Sequence, residues 1–396
     1  MPGLELFGDE ERKEVMDVLD SKCLFRYNHE HLRNGHWKAK ELEAEVRNFT
    51  GAKFAHAVSS GSTACAMASA GIGFGDHVIV PPFTYIATIE GVIFGGGVPV
   101  FAEIDENLCL SAAGIEAAIT PETKAVCLVH MCGATADMDS IMEVCNKHNL
   151  TLIEDAGQAL GSFYKGTSAG LFGKTGAYSF DFFKITTAGE GGLYVTNDEE
   201  CYKLADSYSD HGHDHIGANR GMEQHHILGF NYRLSELHAA VGLAQMRKIN
   251  TIRDTNKKNK TYLKNLLAGT EGLSFRPIPD EEGDSGTFLN FFLPDTETAQ
   301  KVMAEFGKMG IGGFNYWYTN MYHFINQWDH LKNLKSAAPL HLHKMDLPQD
   351  YNNLDLPKSQ EVVGRLISLG ISTQWTVEQM TELAANMKTA IANSLS

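Results

Sequence analysis

Apolar positions along the chain follow two different periods. Short continuous apolar runs occur at Phe54–Val58, His77–Val80, Gly97–Ala102, Lys124–His130 and Leu150–Ala156, separated by stretches with helical spacing. Runs of that length, bounded by turn residues, are what strands buried on both faces look like. Strands alternating with helices predict an α/β fold with a mostly parallel sheet covered on both sides. Val15, Val18 and Leu19 predict a helix over 9–19, with acids in its first turn. Further helices are expected over 38–49, 140–148 and 235–249, the last with Ser235 as its cap. From about Asn250 the composition shifts. A basic helix over 254–267 leads to strand-like runs at Leu273–Pro277 and Thr287–Leu293 and a helix over 296–309. A closing helix follows Thr376, where Thr376 and Gln379 have capping-box spacing. The expectation is a large domain over 1–250 and a smaller C-terminal α/β domain over 251–396.

In open parallel sheets, ligands bind beyond the carboxyl ends of the strands. Asp155 and the turns at Ser60 and Phe83 fall at such ends. Phe54–Val58 runs into Ser59-Ser60-Gly61-Ser62-Thr63-Ala64 and then a helix of small residues. That order places backbone N–H groups and hydroxyls at the positive end of a helix, where phosphate binds. An ordinary Ser cap accounts for the same residues. Asp155 is either the cap of a helix starting at Ala156 or a carboxylate at the sheet mouth that holds a pyridine-type nitrogen protonated.

Lys184 ends the run Tyr178-Ser179-Phe180-Asp181-Phe182-Phe183, just before Gly189-Glu190-Gly191-Gly192. A lysine among aromatic side chains is partly desolvated, which favours its uncharged amine. Such an amine can attack an aldehyde and hold it as a Schiff base. The alternative is a buried lysine paired with Asp181 or Glu190.

The 396 residues carry a formal net charge of −16. An acidic balance without a basic block argues against nucleic acid or an anionic membrane as partner. No apolar run is long enough to span a bilayer, and Met1–Phe7 reads as no leader. The seven cysteines form no Cys-x-x-Cys pair and lie mostly in apolar runs, which reads as reduced thiols in a cytoplasmic protein. His211, His213 and His215 alternate along the chain, with His225 and His226 further on. No zinc-type spacing follows, so loop histidines that are solvated or touch substrate are expected and no metal is assigned. The segment Tyr316 to Tyr322 either packs in the core or faces the cleft.

Four of these motifs in this order, Ser59–Ala64, Glu154–Gln158, Ser179 with Lys184 and Gly189–Gly192, and Asn231–Glu236, resemble the DegT/DnrJ/EryC1/StrS sugar aminotransferases. The likeness covers nearly the whole chain. It implies the pyridoxal-phosphate-dependent aspartate-aminotransferase fold type I, with pyridoxal 5'-phosphate as cofactor. By that resemblance Lys184 is the Schiff-base lysine and Asp155 holds the pyridinium nitrogen. Gln158 lies near the ring hydroxyl, and Tyr85 stacks on the ring. Ser62, Thr63 and Ser179 match phosphate ligands. The family usually has threonine where Ser62 stands, so a hydroxyl is kept. Asn231 matches a residue sent to the partner's phosphate, which implies a homodimer with shared sites. A lysine rather than a histidine at 184 implies transamination rather than dehydration.

Within the family, five segments resemble the branch that aminates 8-oxo-3,8-dideoxy-manno-octulosonate, with glutamate as donor, for lipopolysaccharide. They are Pro2–Gly8, Phe25–Asn28, Val129–Gly133, Ser209–Gly217 and Tyr316–Tyr318. An acidic sugar needs a cation, and Arg26 and Arg233 are the candidates. His211 and Trp317 are further candidate substrate contacts. The alternative acceptor is a 3-keto or 4-keto nucleotide sugar.

Overall fold

The computed structural model describes residues 2–217 and 219–395. At its centre is a seven-stranded sheet of β1 (Phe54–Val58), β2 (His77–Val80), β3 (Val98–Phe101), β4 (Thr123–Val129), β5 (Thr151–Asp155), β6 (Thr175–Ser179) and β7 (Gly192–Thr196). The spatial order is β1-β7-β6-β5-β4-β2-β3. β2, β3, β4, β5 and β6 pair in parallel, while β7 runs antiparallel to both β1 and β6. The expected parallel sheet is therefore present, with one reversed strand inserted beside β1.

The residues of β2, β3 and β6 are buried throughout. That explains why these strands read as unbroken apolar runs rather than as alternating ones. The helix Gly61–Ser69 packs Ala64, Cys65, Met67 and Ala68 inward. Its small side chains bring its first turn close to the ends of β6 and β7. The strand at Thr175–Ser179 was not expected from the sequence. Its Gly176, Ala177 and Ser179 bury little apolar volume, so hydrophobic pattern alone does not reveal it.

A second sheet is antiparallel, formed by β8 (Ser274–Phe275), β9 (Phe288–Phe292), β10 (Phe314–Asn315) and β11 (Leu366–Gly370) in the order β8-β9-β11-β10. Its core comprises Leu289, Phe291, Ile367 and Leu369, with Val302, Phe306, Met387 and Ile391 from the covering helices. The closing helix, Val377–Leu395, is capped as expected, with Gln379 N–H donating to Thr376 Oγ1 and Thr376 N–H to Gln379 Oε1.

Two features differ from the sequence-level outline. The helix expected to reach 249 stops at Met246, and a new one runs over Ile249–Leu267. At the break, Arg247 pairs with Glu14 and Lys248 with Glu11 of the helix Asp9–Ser21. These pairs anchor the amino-terminal helix. The proposed division at residue 250 thus falls in the first turn of a helix. In addition, Trp317, Phe324, Ile325, Trp328, Leu342 and Tyr351 join the core of the large sheet rather than that of the small one. The segment 317–356 crosses back over the large sheet and closes one side of its mouth.

At the start of β7, a Cβ on Gly192 would lie 2.2 Å from Ser60 O and 2.8 Å from Gly61 N. Both contacts are backbone, so neither can yield cheaply. Gly192→Ala is expected to destabilise the protein by about 2–4 kcal/mol. Chemical denaturation read by circular dichroism checks it.

Candidate active site

The site is built at the carboxyl ends of β5 and β6. Asp155 closes β5, and each of its carboxylate oxygens is engaged. Thr88 donates its hydroxyl to Oδ2 at 2.6 Å, and Gly157 N–H donates to Oδ1 at 2.9 Å. Thr88 in turn lies 2.7 Å from the Thr84 hydroxyl. The second bond closes a tight turn, and no helix begins at Ala156. The capping role considered for Asp155 is therefore absent, and its side chain is fixed in orientation by two donors. Beside it, the thiol of Cys65 is held well above its ordinary pKa by burial first and by the Asp155 carboxylate next. Cys65 is an unreactive wall of the site.

Lys184 follows β6 through a turn in which its N–H donates to Asp181 O at 3.1 Å and Phe183 N–H donates to Asp181 Oδ1 at 3.0 Å. Phe182 and Phe183 point outward, at 43% and 62% exposure. They do not form the apolar wrapping that the sequence suggests around the ammonium. The desolvation comes from elsewhere in the cleft and lowers the Lys184 pKa, while Asp181 and Asp155 partly offset it. Among the described residues no carboxylate forms an ion pair with Lys184. The buried, neutralised lysine considered as the alternative is not what the chain builds.

The start of the helix Gly61–Ser69 lies next to this pair. Ser60 caps the helix Gly61–Ser69, its Oγ accepting from Thr63 N–H at 3.1 Å, while Thr63 Oγ1 accepts from Ser60 N–H at 3.0 Å. Thr63 Oγ1 also donates to Ser60 O at 2.8 Å, so both donors of Thr63 are spent on the cap and its expected role as a phosphate ligand is left without a free donor. Ser62 is exposed, and the N–H groups of Gly61 and Ser62 precede any intrahelical partner. A Cβ on Gly61 would sit 2.7 Å from Ser179 Oγ, so glycine is what lets the Ser179 hydroxyl reach this helix end. Gln158 Oε1 accepts from Cys132 N–H at 3.1 Å, tying the turn after β4 to the loop after β5.

Tyr85 stands over the mouth at 43% exposure. Beside it stand Tyr322, the end of the aromatic segment noted in the sequence, and His323, which the sequence did not single out. The ring of His323 lies 5.5 Å from Tyr85 and that of Tyr322 lies 6.3 Å away. Thr84 N–H donates to His323 O and Ile86 N–H to Tyr322 O, both at 3.0 Å. The segment 322–324 of the crossing chain is therefore clasped to 83–86, the segment that supplies Tyr85 and leads to Thr88. The charge of Lys184 is felt at the His323 imidazole. Thr88 was legible only as one residue of the run Phe83–Thr88. His323 stands one position beyond the aromatic segment that was noticed.

The candidate substrate residues are placed differently. Arg26 is buried, with Glu43 Oε1 at 2.5 Å, Ala57 O at 2.8 Å and His56 Nδ1 at 3.1 Å from its guanidinium. Arg233 pairs with Asp210, which also takes Arg220 at 2.7 Å and His215 Nε2 at 2.9 Å. Both arginines are thus committed within the chain. Trp317 is 5% exposed, and its Nε1–H donates to Ser368 Oγ at 2.7 Å. It packs against His323 at 4.7 Å and reaches the cleft only through that ring. His211 is exposed, its main-chain oxygen accepting from His225 Nδ1 at 2.8 Å. Asn231 is also exposed, and its Oδ1 accepts from Arg233 N–H at 3.3 Å. The histidines after Ser209 pair with carboxylates, His215 with Asp206 and Asp210 and His213 with Glu223. No group of three or more metal-ligating side chains that could hold an ion occurs among the described residues.

The residues present fit a phosphorylated pyridine aldehyde. A desolvated amine, a doubly anchored carboxylate, an aromatic face and a glycine-permitted helix end with a hydroxyl are gathered at one mouth. Fold and site together define the class, an α/β chain of the pyridoxal-phosphate type I fold. The chain belongs to the DegT/DnrJ/EryC1/StrS aminotransferase family, whose profile matches residues 7–388. GDP-perosamine synthase of Caulobacter vibrioides is 42% identical over 218 residues, spanning 53% of this chain and 56% of that protein's length. The spore coat polysaccharide biosynthesis protein SpsC of Bacillus subtilis is 36% identical over 285 residues, covering 70% of this chain and 69% of SpsC. The crystallised aminotransferase of Psychrobacter cryohalolentis superposes with a TM-score of 0.83 at 26% identity, over 98% of each chain.

One consequence concerns pH. Both ring nitrogens of His215 face carboxylates, Asp206 at 2.8 Å and Asp210 at 2.9 Å, so only the imidazolium donates to both. Burial alone would lower its pKa, but the two carboxylates overcome this and raise it to about 9. A folded pKa above the unfolded value contributes stability that is complete below the unfolded pKa and is lost as pH rises through about 9. Between pH ~7 and pH ~10 the wild type is expected to lose about 2 kcal/mol relative to His215→Gln, after allowance for screening. Urea titrations of both proteins across that range check it.

Proposed function

We propose that this chain is a pyridoxal-phosphate-dependent aminotransferase that delivers an amino group to a keto sugar, acting as a homodimer with shared sites. The observation that carries the reading is a desolvated Lys184, in the turn after β6, near an Asp155 that ends β5 and is clamped by Thr88 and Gly157. The cofactor, when bound, supplies an electron sink for the carbon that loses its proton. The protein's part is position and proton handling. Lys184 Nζ, desolvated and short of a fixed ion pair, is suited to take a proton at one carbon and return it at another. Asp155 would present its fixed carboxylate to the ring nitrogen of the cofactor. Gly61, Ser62 and Ser179 would hold its phosphate, with Tyr85 and Gln158 placed to hold the ring. The exposed Asn231 would reach the phosphate of a second copy.

The finer reading of the acceptor is 8-oxo-3,8-dideoxy-manno-octulosonate, with glutamate as donor, for lipopolysaccharide. It rests on the likeness of the segments around Phe25–Asn28 and Ser209–Gly217. These two segments meet in the fold, with Tyr27 stacked on His215 at 4.0 Å. A second reading, a 3-keto or 4-keto nucleotide sugar, is supported by the names of relatives such as GDP-perosamine synthase and UDP-N-acetyl-3-dehydro-alpha-D-glucosamine 3-aminotransferase of Acidithiobacillus ferrooxidans.

Lys184→Ala is expected to lose the visible absorbance of the bound cofactor and to slow amino transfer by at least about 1000-fold. Transfer at the wild-type rate would remove Lys184 from its role. The acceptor is settled by single-turnover transfer to the octulosonate and to 3-keto and 4-keto nucleotide sugars. Turnover of a nucleotide sugar with none of the octulosonate establishes the second reading.

A further inference from the structure

His323 is an ionisable side chain at the mouth to which neither the resemblance nor the proposed mechanism gives work. Its geometry fixes its chemistry. Asn320 Oδ1 accepts from the Tyr322 backbone N–H at 3.0 Å, which identifies that atom as oxygen rather than nitrogen. The same oxygen lies 2.9 Å from His323 Nδ1, so Nδ1 carries the hydrogen. The tautomer is then set, and Nε2 is left with its lone pair. Among the described residues, none bonds Nε2. Burial, and next the neighbouring charge of Lys184, push the imidazole down to about 3, so it stays neutral throughout the physiological range.

The ring is also held in place. It packs on Trp317 at 4.7 Å, and Trp317 is itself fixed by its bond to Ser368. The backbone at His323 is clasped to Thr84, one residue from Tyr85. A rigid, uncharged acceptor beside Lys184 suits a partner that brings its own hydrogen. A carboxylate or phosphate cannot donate to it, but a sugar hydroxyl can.

We propose that His323 is a specificity-determining residue, its Nε2 accepting a hydrogen bond from a hydroxyl of the keto sugar bound beside Lys184. This rests on the reading of Lys184 given above. It divides the two halves of the reaction, because glutamate has no hydroxyl. Removing the acceptor should therefore injure transfer to the sugar and spare uptake of the amino group from the donor.

His323→Phe keeps an aromatic ring against Trp317 and has no acceptor. His323→Gln puts an oxygen near the place of Nε2. In single-turnover experiments, His323→Phe is expected to lower the rate constant over KM for the keto sugar about 30-fold. The glutamate half-reaction should stay within about twofold, and His323→Gln should recover most of the loss. A second readout does not depend on turnover. In protein carrying nitrogen-labelled histidine, the Nε2 resonance missing from the His323→Gln spectrum should shift when the amino-sugar product is added and not when glutamate is added. If His323→Phe does not fold, His323→Leu poses the same question.

The proposal is overturned if both half-reactions fall together, if neither falls, or if the resonance is indifferent to the sugar. An intact glutamate half-reaction in those variants would leave the role of Lys184 standing. Its absence from the wild type would defeat that reading first.

Discussion

Everything at the mouth of the large sheet depends on keeping one ammonium group poorly solvated without giving it a fixed counter-ion. A lysine in water holds its proton far too tightly to serve as a base, whereas a lysine paired with a carboxylate is stabilised in its charged form. Lys184 meets neither condition. It lies close enough to Asp155 and Asp181 to feel both, yet forms an ion pair with neither, and desolvation dominates. Asp155 is kept from collapsing onto it by prior engagements, with Thr88 on one oxygen and Gly157 on the other. The Thr84–Thr88 hydroxyl relay, which at first looks like ordinary helix-start chemistry, therefore controls where a carboxylate can point.

That arrangement could not be made by the large sheet alone. β5 and β6 bring Asp155 and Ser179 to the same edge, and the reversed β7 lets the helix at Gly61 come within reach of Ser179. The remaining wall arrives from far along the chain. Residues 322–324 bond to 83–86, and Phe324, Ile325 and Trp328 sink into the core of the large sheet. Packing energy from these large side chains holds His323 and Tyr322 over Tyr85. The small antiparallel sheet, with its own core, then serves as a base from which the crossing segment is launched.

The parts of this architecture that follow from local chemistry were legible in the sequence. The apolar runs of β1 to β5, the helices 9–19 and 38–49, the cap at Ser60 and the capping box at Thr376 all follow from pattern and capping rules. β6 was not legible, because glycine, alanine and serine give a strand no apolar signature. β11 was missed because Leu366–Gly370 is short and pairs only with segments distant in sequence. The site divides in the same way. Lys184, Asp155 and the Ser-Gly-Ser-Thr turn are marked by composition and spacing. Thr88 and His323 are marked by neither, since each matters only through a contact made across the fold, 67 residues away for Thr88. The aromatic residues beside Lys184 gave the right inference for a partly wrong reason. Phe182 and Phe183 face outward, and the burial of the ammonium comes from side chains brought in by topology.

The arginines show the limit of reading charge from sequence. An acidic sugar invites a cation, and Arg26 and Arg233 stand in suggestive segments. The fold spends both of them on its own carboxylates. Arg26 pairs with Glu43 deep beneath β1, and Arg233 shares Asp210 with Arg220 and the doubly bonded His215. Withdrawing Arg26 for a ligand would strip the buried Glu43 of its arginine, a cost of several kcal/mol that a single sugar contact does not offset, and withdrawing Arg233 would remove one of the three cations that Asp210 holds. These charges instead fasten the Phe25–Asn28 segment to the loop after Ser209, and through the Asp210–Asn231 bridge they set where Asn231 emerges. A network whose arginines are already held by carboxylates is a poor reader of anions and a firm support for the segment that carries Asn231.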